Sequence, residues 1–147
     1  MCEDVLILSA IDNLYGISIE KVVRVLWAVE VTPVPKSPKI LYGVFDLHGK
    51  TLPVISLREL LGLPQKEMEI EDSFVILTIH SHQVALLVDH AFGVFELERE
   101  DYGETEELFK ELYTTHIVKY NDRLTPVLDI EKLIDSDMLK RVIHVDT

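Results

Sequence analysis

The side chains with reactive potential are few, and their spacing favours no catalytic arrangement. His80, His82 and His90 fall within one short stretch. On a single strand His80 and His82 would face the same way and could share a metal ion. A tight turn between them would send both rings to solvent instead, and no third ligand follows at motif spacing. Carboxylates are plentiful, but no spacing selects a pair whose pKa values would be driven apart for acid–base work. Cys2 has neither a helix start nor a basic neighbour beside it to favour the thiolate. The chain lacks a Gly-rich phosphate loop, HExxH, GxSxG and CxxC. The expectation is a protein without catalytic residues, metal or cofactor.

What remains is scaffold, and it is written twice. Residues 42–62 read YGVFDLHGKTLPVISLRELLG. This stretch predicts a strand, a turn at 46–49, a second extended run at 51–55 and a short helix over 56–61. Ser56 is suited to cap that helix and Gly62 to end it in the left-handed conformation. The ending recurs at 125–134, where Pro126, Val127 and Ile130 stand for Pro53, Val54 and Leu57, and Leu133-Ile134 for Leu60-Leu61. Residues 15–20 resemble 84–89 at a similar offset, about 70 positions, which is the mark of a repeated supersecondary unit.

Short strands are the commonest element. They are expected at 5–11, 14–19, 24–31, 73–80, 83–88, 92–97, 115–120 and 123–128, with a helical turn at 20–23. Turn residues sit at Asp12-Asn13, Ser81-His82 and Asn121-Asp122. Three prolines in 32–39 forbid a helix interior or central strand and predict a stiff surface loop. The acidic stretch 63–72 is the natural internal boundary. Residues 98–107 read as a charged loop, 108–113 as a helical turn, a short helix follows from Asp129, and a helix or tail runs from Asp137. Many short strands with little helix indicate two small β-barrel halves, and a half of about 70 residues needs a shared apolar interface to be stable.

With 147 residues and a net charge of −12, the chain is about one domain and is poorly suited to nucleic acid or an anionic bilayer. The single cysteine excludes an intramolecular disulfide. No apolar run approaches the ~20 residues of a membrane helix, and the acidic N-terminus is unlike a secretory signal. A cytoplasmic location is expected. Around Trp27, the run 22–26 places apolar side chains at successive positions, so a strand there is either covered on both faces or presents one to a partner.

These residues carry a resemblance. The span from Tyr15-Gly16-Ile17 to Pro33-Val34-Pro35 is one part of it. Residues 43–49, 52–58 and Leu86-Leu87-Val88-Asp89 are the others, and together they resemble the CheW family over nearly the whole chain. The resemblance implies two intertwined SH3-like β-barrel subdomains packed on a shared hydrophobic core with short helices. It places them in one domain over 1–147, with one subdomain at roughly 14–66 and the other at 1–13 plus 67–147. It implies a non-enzymatic adaptor coupling the cytoplasmic tip of a chemoreceptor to the regulatory domain of the chemotaxis histidine kinase CheA, in receptor arrays at the inner membrane. The same scaffold serving another kinase or signalling assembly is the alternative, and a small-ligand or metal protein using His80, His82 and His90 is a third.

By the same resemblance, receptor contact falls to Arg24, Val25, Asp46, His48 and Gly49. The family usually has Asn-Leu-Arg-Gly where this chain has Asp46-Leu47-His48-Gly49, and Glu-Ile where it has Arg24-Val25. Arginine offers a permanent charge and a planar fork of donors, whereas a histidine ring is largely neutral at pH 7. The scaffold is expected to be kept and the receptor-facing chemistry altered. A bland reading of Arg24 and His48, as solvated surface, competes with this one.

Overall fold

The computed structural model describes residues 2–100 and 113–145, with the side chains of 144 and 145 left aside. The chain alternates hairpins with single strands. The hairpin β1 (Cys2–Ala10)–β2 (Asn13–Ser18) leads through a 3-10 turn at Ile19–Lys21 into β3 (Val22–Trp27). Next come β4 (Leu41–Leu47), β5 (Lys50–Ser56) and α1 (Leu57–Leu60). The pattern then repeats as β6 (Ser73–Ile79), β7 (His82–Val88), β8 (His90–Glu100), β9 (Thr114–Tyr120), β10 (Arg123–Leu128) and α2 (Ile130–Leu133). A terminal helix, α3 (Ser136–Val145), follows.

Each sheet takes strands from both repeats. A closed barrel runs β1-β2-β10-β9-β8, and a second five-stranded sheet runs β3-β6-β7-β5-β4. The first hairpin of one repeat therefore lies beside the last three strands of the other. Equivalent joints appear in both sheets: β2 pairs β10 in parallel at Gly16↔Val127, and β7 pairs β5 in parallel at Ala85↔Val54. The strands divide between the sheets at different points from the expected 14–66 unit. β2 belongs to the barrel, while β6 and β7 join the strands of the middle segment. The reason is non-local: the crossing β3 and β8 pair with the opposite repeat's hairpin, β3 on β6 and β8 on β1.

Tight turns make these hairpins. Consecutive positive φ values occur at Ile11-Asp12, His48-Gly49, His80-Ser81 and Asn121-Asp122, the conformation that matches the twist of paired strands. Ser56 Oγ accepts from the Glu59 amide at 3.3 Å and caps α1, and Asp129 does the same for α2 through the Lys132 amide at 3.3 Å. Gly62 takes φ +69 after α1, as its position in the sequence requires.

The apolar runs of the central strands are buried on both faces, so their alternation is hidden in the sequence. In β1, Val5 and Ile7 point into the barrel with Val118 and Val127, while Leu6, Leu8 and Ala10 face the shared core. In β6, Phe74 and Ile76 join Phe45, Leu52 and Val54, while Val75, Leu77 and Ile79 face the same shared core. Leu128, Ile130, Leu133, Ile134, Leu139 and Val142 from the last strand and helices complete it. The two sheets thus hold one another through a layer to which both contribute, as the marginal size of each half requires.

The barrel closes where β8 meets β9 at Arg99↔Val118 and Glu100↔Ile117. The other sheet closes on one bridge, Thr32↔Val44, with both backbone bonds made at 2.8 and 2.9 Å. Gly43 permits it: a Cβ there would lie 2.3 Å from Val31 Cγ1 and 2.5 Å from the Thr32 carbonyl oxygen. The strand of the β8 segment extends further than expected, to Glu100, and β3 is shorter, ending at Trp27. The expected loop over 98–107 therefore begins as strand, and the remainder, with the helical turn at 108–113 up to Tyr113, lies outside the described residues.

Candidate interaction site

Strand β3 lies at one side of its sheet and pairs in a ladder only with β6. The register shifts between Val22 and Arg24, and a bulge of this kind turns neighbouring side chains outward together. Val23, Arg24 and Val25 are consecutively exposed, and Trp27 retains 71% of its accessible surface. Val29, just past the strand, is also exposed. Leu26 packs inward instead, against the core of Phe45 and Phe74. The exposed face of this strand is therefore presented to solvent rather than covered by the other half.

Asp46, His48 and Gly49 are brought together in the β4–β5 turn. Asp46 Oδ2 accepts from the Gly49 amide at 3.3 Å, while His48 and Gly49 take φ values of +52 and +85. Gly49 has open space around it, so its requirement is the backbone conformation alone. Asp46 and His48 are both exposed. In the ladder order β3-β6-β7-β5-β4 the turn belongs to the last pair of strands and Arg24 and Val25 to the first, while the Thr32↔Val44 bridge returns the segment after β3 to β4. The five residues thus lie on two elements of one sheet, β3 and the β4–β5 turn. Neither Arg24 nor Asp46 nor His48 forms an ion pair among the described residues.

Two polar joints hold the repeats in place behind these surfaces. Arg58 of α1 grips Asp89, which follows β7, with Nε to Oδ1 at 3.1 Å and Nη2 to Oδ2 at 2.6 Å. Asp89 Oδ2 also accepts from the Ile11 amide in the β1–β2 turn at 2.9 Å. Burial alone would raise the Asp89 carboxyl, but the Arg58 guanidinium and the Ile11 amide outweigh it and hold the group below its ordinary value. The second joint is Glu131 of α2, which accepts from the His80 amide at 3.0 Å and from Lys21 Nζ at 2.8 Å. Those two bonds lower the Glu131 carboxyl.

The histidines divide accordingly. His80 Nε2 lies 2.9 Å from each of the Glu131 and Ile134 carbonyl oxygens, so that nitrogen carries the proton and covers the end of α2. This corrects the expectation that both rings of the turn would lie in solvent: His80 is drawn to a helix end far along the chain, while His82 and His90 are exposed. Among the described residues, no group of three or more His, Cys, Asp or Glu side chains is placed to hold a metal. No helix among them is long and apolar enough to cross a membrane.

Sequence reasoning missed Phe92 and Val94, which are each 49% exposed on β8. The repeat could have found them, since they stand where Val23 and Val25 stand in the first copy. It also missed Arg58 and Asp89 as partners, although both lay in motifs already singled out.

The model of the CheW-like domain matches residues 4–138. The chain is 30% identical to the chemotaxis protein CheW of Helicobacter pylori over 129 residues, covering 86% of this chain and 78% of that one. With the chemotaxis protein CheW of Bacillus subtilis it shares 30% identity, over 84% of this chain and 81% of the relative. With that of Treponema pallidum the identity is 26%, over 91% and 83%. In fold it resembles the scaffolding protein TtCheW from Thermoanaerobacter tengcongensis, with a TM-score of 0.76 at 23% identity, covering 94% of this chain and 96% of that one.

Proposed function

The chain belongs to the CheW-like domain family, and from that premise we propose that it is a non-enzymatic adaptor joining chemoreceptors to the regulatory domain of the kinase CheA. Its place is the cytoplasmic side of receptor arrays. The observation that carries the reading is the uncovered strip Val23, Val25 and Trp27 around Arg24 on β3. An adaptor works by geometry: it must offer desolvatable anchors on a body stiff enough to fix two partners in register. Exposed aromatic and aliphatic side chains supply the anchors, and aromatic residues with arginine dominate such interfaces. The layered core and the Arg58–Asp89 joint supply the stiffness.

In this reading Arg24 and Val25 meet the receptor tip from one strand, and Asp46, His48 and Gly49 meet it from the turn. The charge at Arg24 selects the partner and steers its approach, while the apolar strip provides adhesion. The histidine ring at His48 weakens any demand for a carboxylate partner there. The sheet edges are left for the kinase domain. The test is calorimetric binding of a soluble receptor-tip fragment to wild type and Arg24→Glu. The variant is expected to bind about tenfold more weakly, equivalent to about 1.4 kcal/mol. Unchanged affinity would remove Arg24 from the receptor face.

A further inference from the structure

The parallel ladder between β5 and β7 starts only at Val54↔Ala85. Before that point the strands separate toward their own hairpin turns, and Pro53, lacking an N–H, cannot extend the ladder. A groove of about 390 Å³ opens between them. Pro53 and Ile143 of α3 form its apolar walls beside the buried Leu52, and Lys50 and His82 stand at its rim with Thr51, Thr78, Ser81 and Gln83.

Two features distinguish this groove. No carboxylate among the described residues lines it, although the chain has 26 Asp and Glu against 14 Lys and Arg. In the other sheet the equivalent gap is bridged by the chain itself. There Arg123 Nη2 donates to the Asp12 carbonyl at 3.3 Å, across the space before Val127↔Gly16. Lys50 stands in the place of Arg123 and Ser81 in that of Asp12. Lys50 makes no ion pair among the described residues. His82 is oriented by its Nδ1, which donates to the His80 carbonyl at 2.9 Å and leaves Nε2 as the free ring nitrogen.

We propose that this groove binds an extended acidic peptide segment of a partner protein, with one carboxylate on Lys50 and a neighbouring aliphatic side chain against Pro53 and Ile143. The volume lies within the range of ligand clefts, and the combination of apolar walls with a few convergent donors is that of a specific pocket. The Thr51, Thr78 and Ser81 hydroxyls supply further donors for the carboxylate or the peptide backbone. This site is separate from the β3 strip and does not depend on which protein contacts Arg24.

The test is fluorescence anisotropy of the full chain with a labelled peptide Gly-Leu-Glu-Leu-Asp-Gly, set against the same peptide with Gln and Asn replacing the acids. Wild type is expected to bind the acidic peptide at least about tenfold more tightly than the amide peptide, and less tightly as salt rises. Lys50→Glu and Thr78→Tyr both change exposed side chains, so the fold is expected to be retained, and each is expected to abolish that preference. Equal binding of the two peptides, or an unchanged preference in both variants, would overturn the proposal. So would glutarate competing at the affinity of the peptide itself, because the groove would then be a site for small anions.

Discussion

Replacing Arg58 with alanine tests how the two repeats are joined. The guanidinium makes two bonds to Asp89, at 3.1 and 2.6 Å, and a third from Nη1 to the Pro64 carbonyl at 3.0 Å. The paired side chains are only 14% and 17% exposed, so the screening that makes surface ion pairs weak is reduced. Removing one partner leaves Asp89 half-buried with the Ile11 amide as its remaining donor. Loss of a fully buried pair's partner costs about 3–5 kcal/mol, and with some solvent access and one donor kept we expect about 2–3 kcal/mol here. For a domain of this size that is a fall in melting temperature of roughly 5–10 °C.

The assay is urea unfolding of wild type and Arg58→Ala across a range of pH. Because the folded Asp89 carboxyl lies below its ordinary value, its stabilising contribution is complete above the unfolded carboxylate pKa, about 4. It is lost as pH falls through the folded value. The gap between the two proteins should therefore be widest near neutrality and close in acid. A gap below about 0.5 kcal/mol at pH 7, or one that does not close in acid, would refute the reasoning.

Three further outcomes follow from the geometry. Gly43→Ala should cost about 1–3 kcal/mol, because its Cβ would displace Val31 and the Thr32 backbone. Hydrogen exchange should show the Val44 amide losing protection first, since that bond is the sheet's closure. His80→Ala should cost about 1–2 kcal/mol by uncovering the Glu131 and Ile134 carbonyls, read by thermal unfolding. Trp27→Ala should change stability by no more than about 0.5 kcal/mol, since the ring is largely in solvent, while weakening partner binding by at least about tenfold. A large stability loss with intact binding would reverse the role assigned to Trp27.

Local features were legible in the sequence because their causes are local. Asn121-Asp122 marks the β9–β10 turn, Ser56 and Asp129 cap their helices, and Gly62 ends α1. The repeat announced two related halves sharing an interface. What it did not reveal is which strands pair across it, because β6 and β7 join β3, β4 and β5 through contacts far apart in the chain. His80 illustrates the same point: its ring and amide are satisfied by α2, 51 to 54 residues away, and nothing beside it signals that partner. On β8, Glu96 and Glu98 are exposed while Leu97 packs into the barrel core, and this strand alternation resembled a charged loop where it runs on toward Glu100. The apolar strip on β3 was visible as a composition, but only the structure decides that Val23, Val25 and Trp27 face solvent while Leu26 does not.

The adaptor reading is tested most directly by titration calorimetry of this protein against the regulatory domain of CheA from the same cell. Binding in the micromolar range, worth about 8 kcal/mol, is the predicted result. No heat of binding at high concentration of either protein would contradict the account, leaving a CheW-like fold without the coupling role.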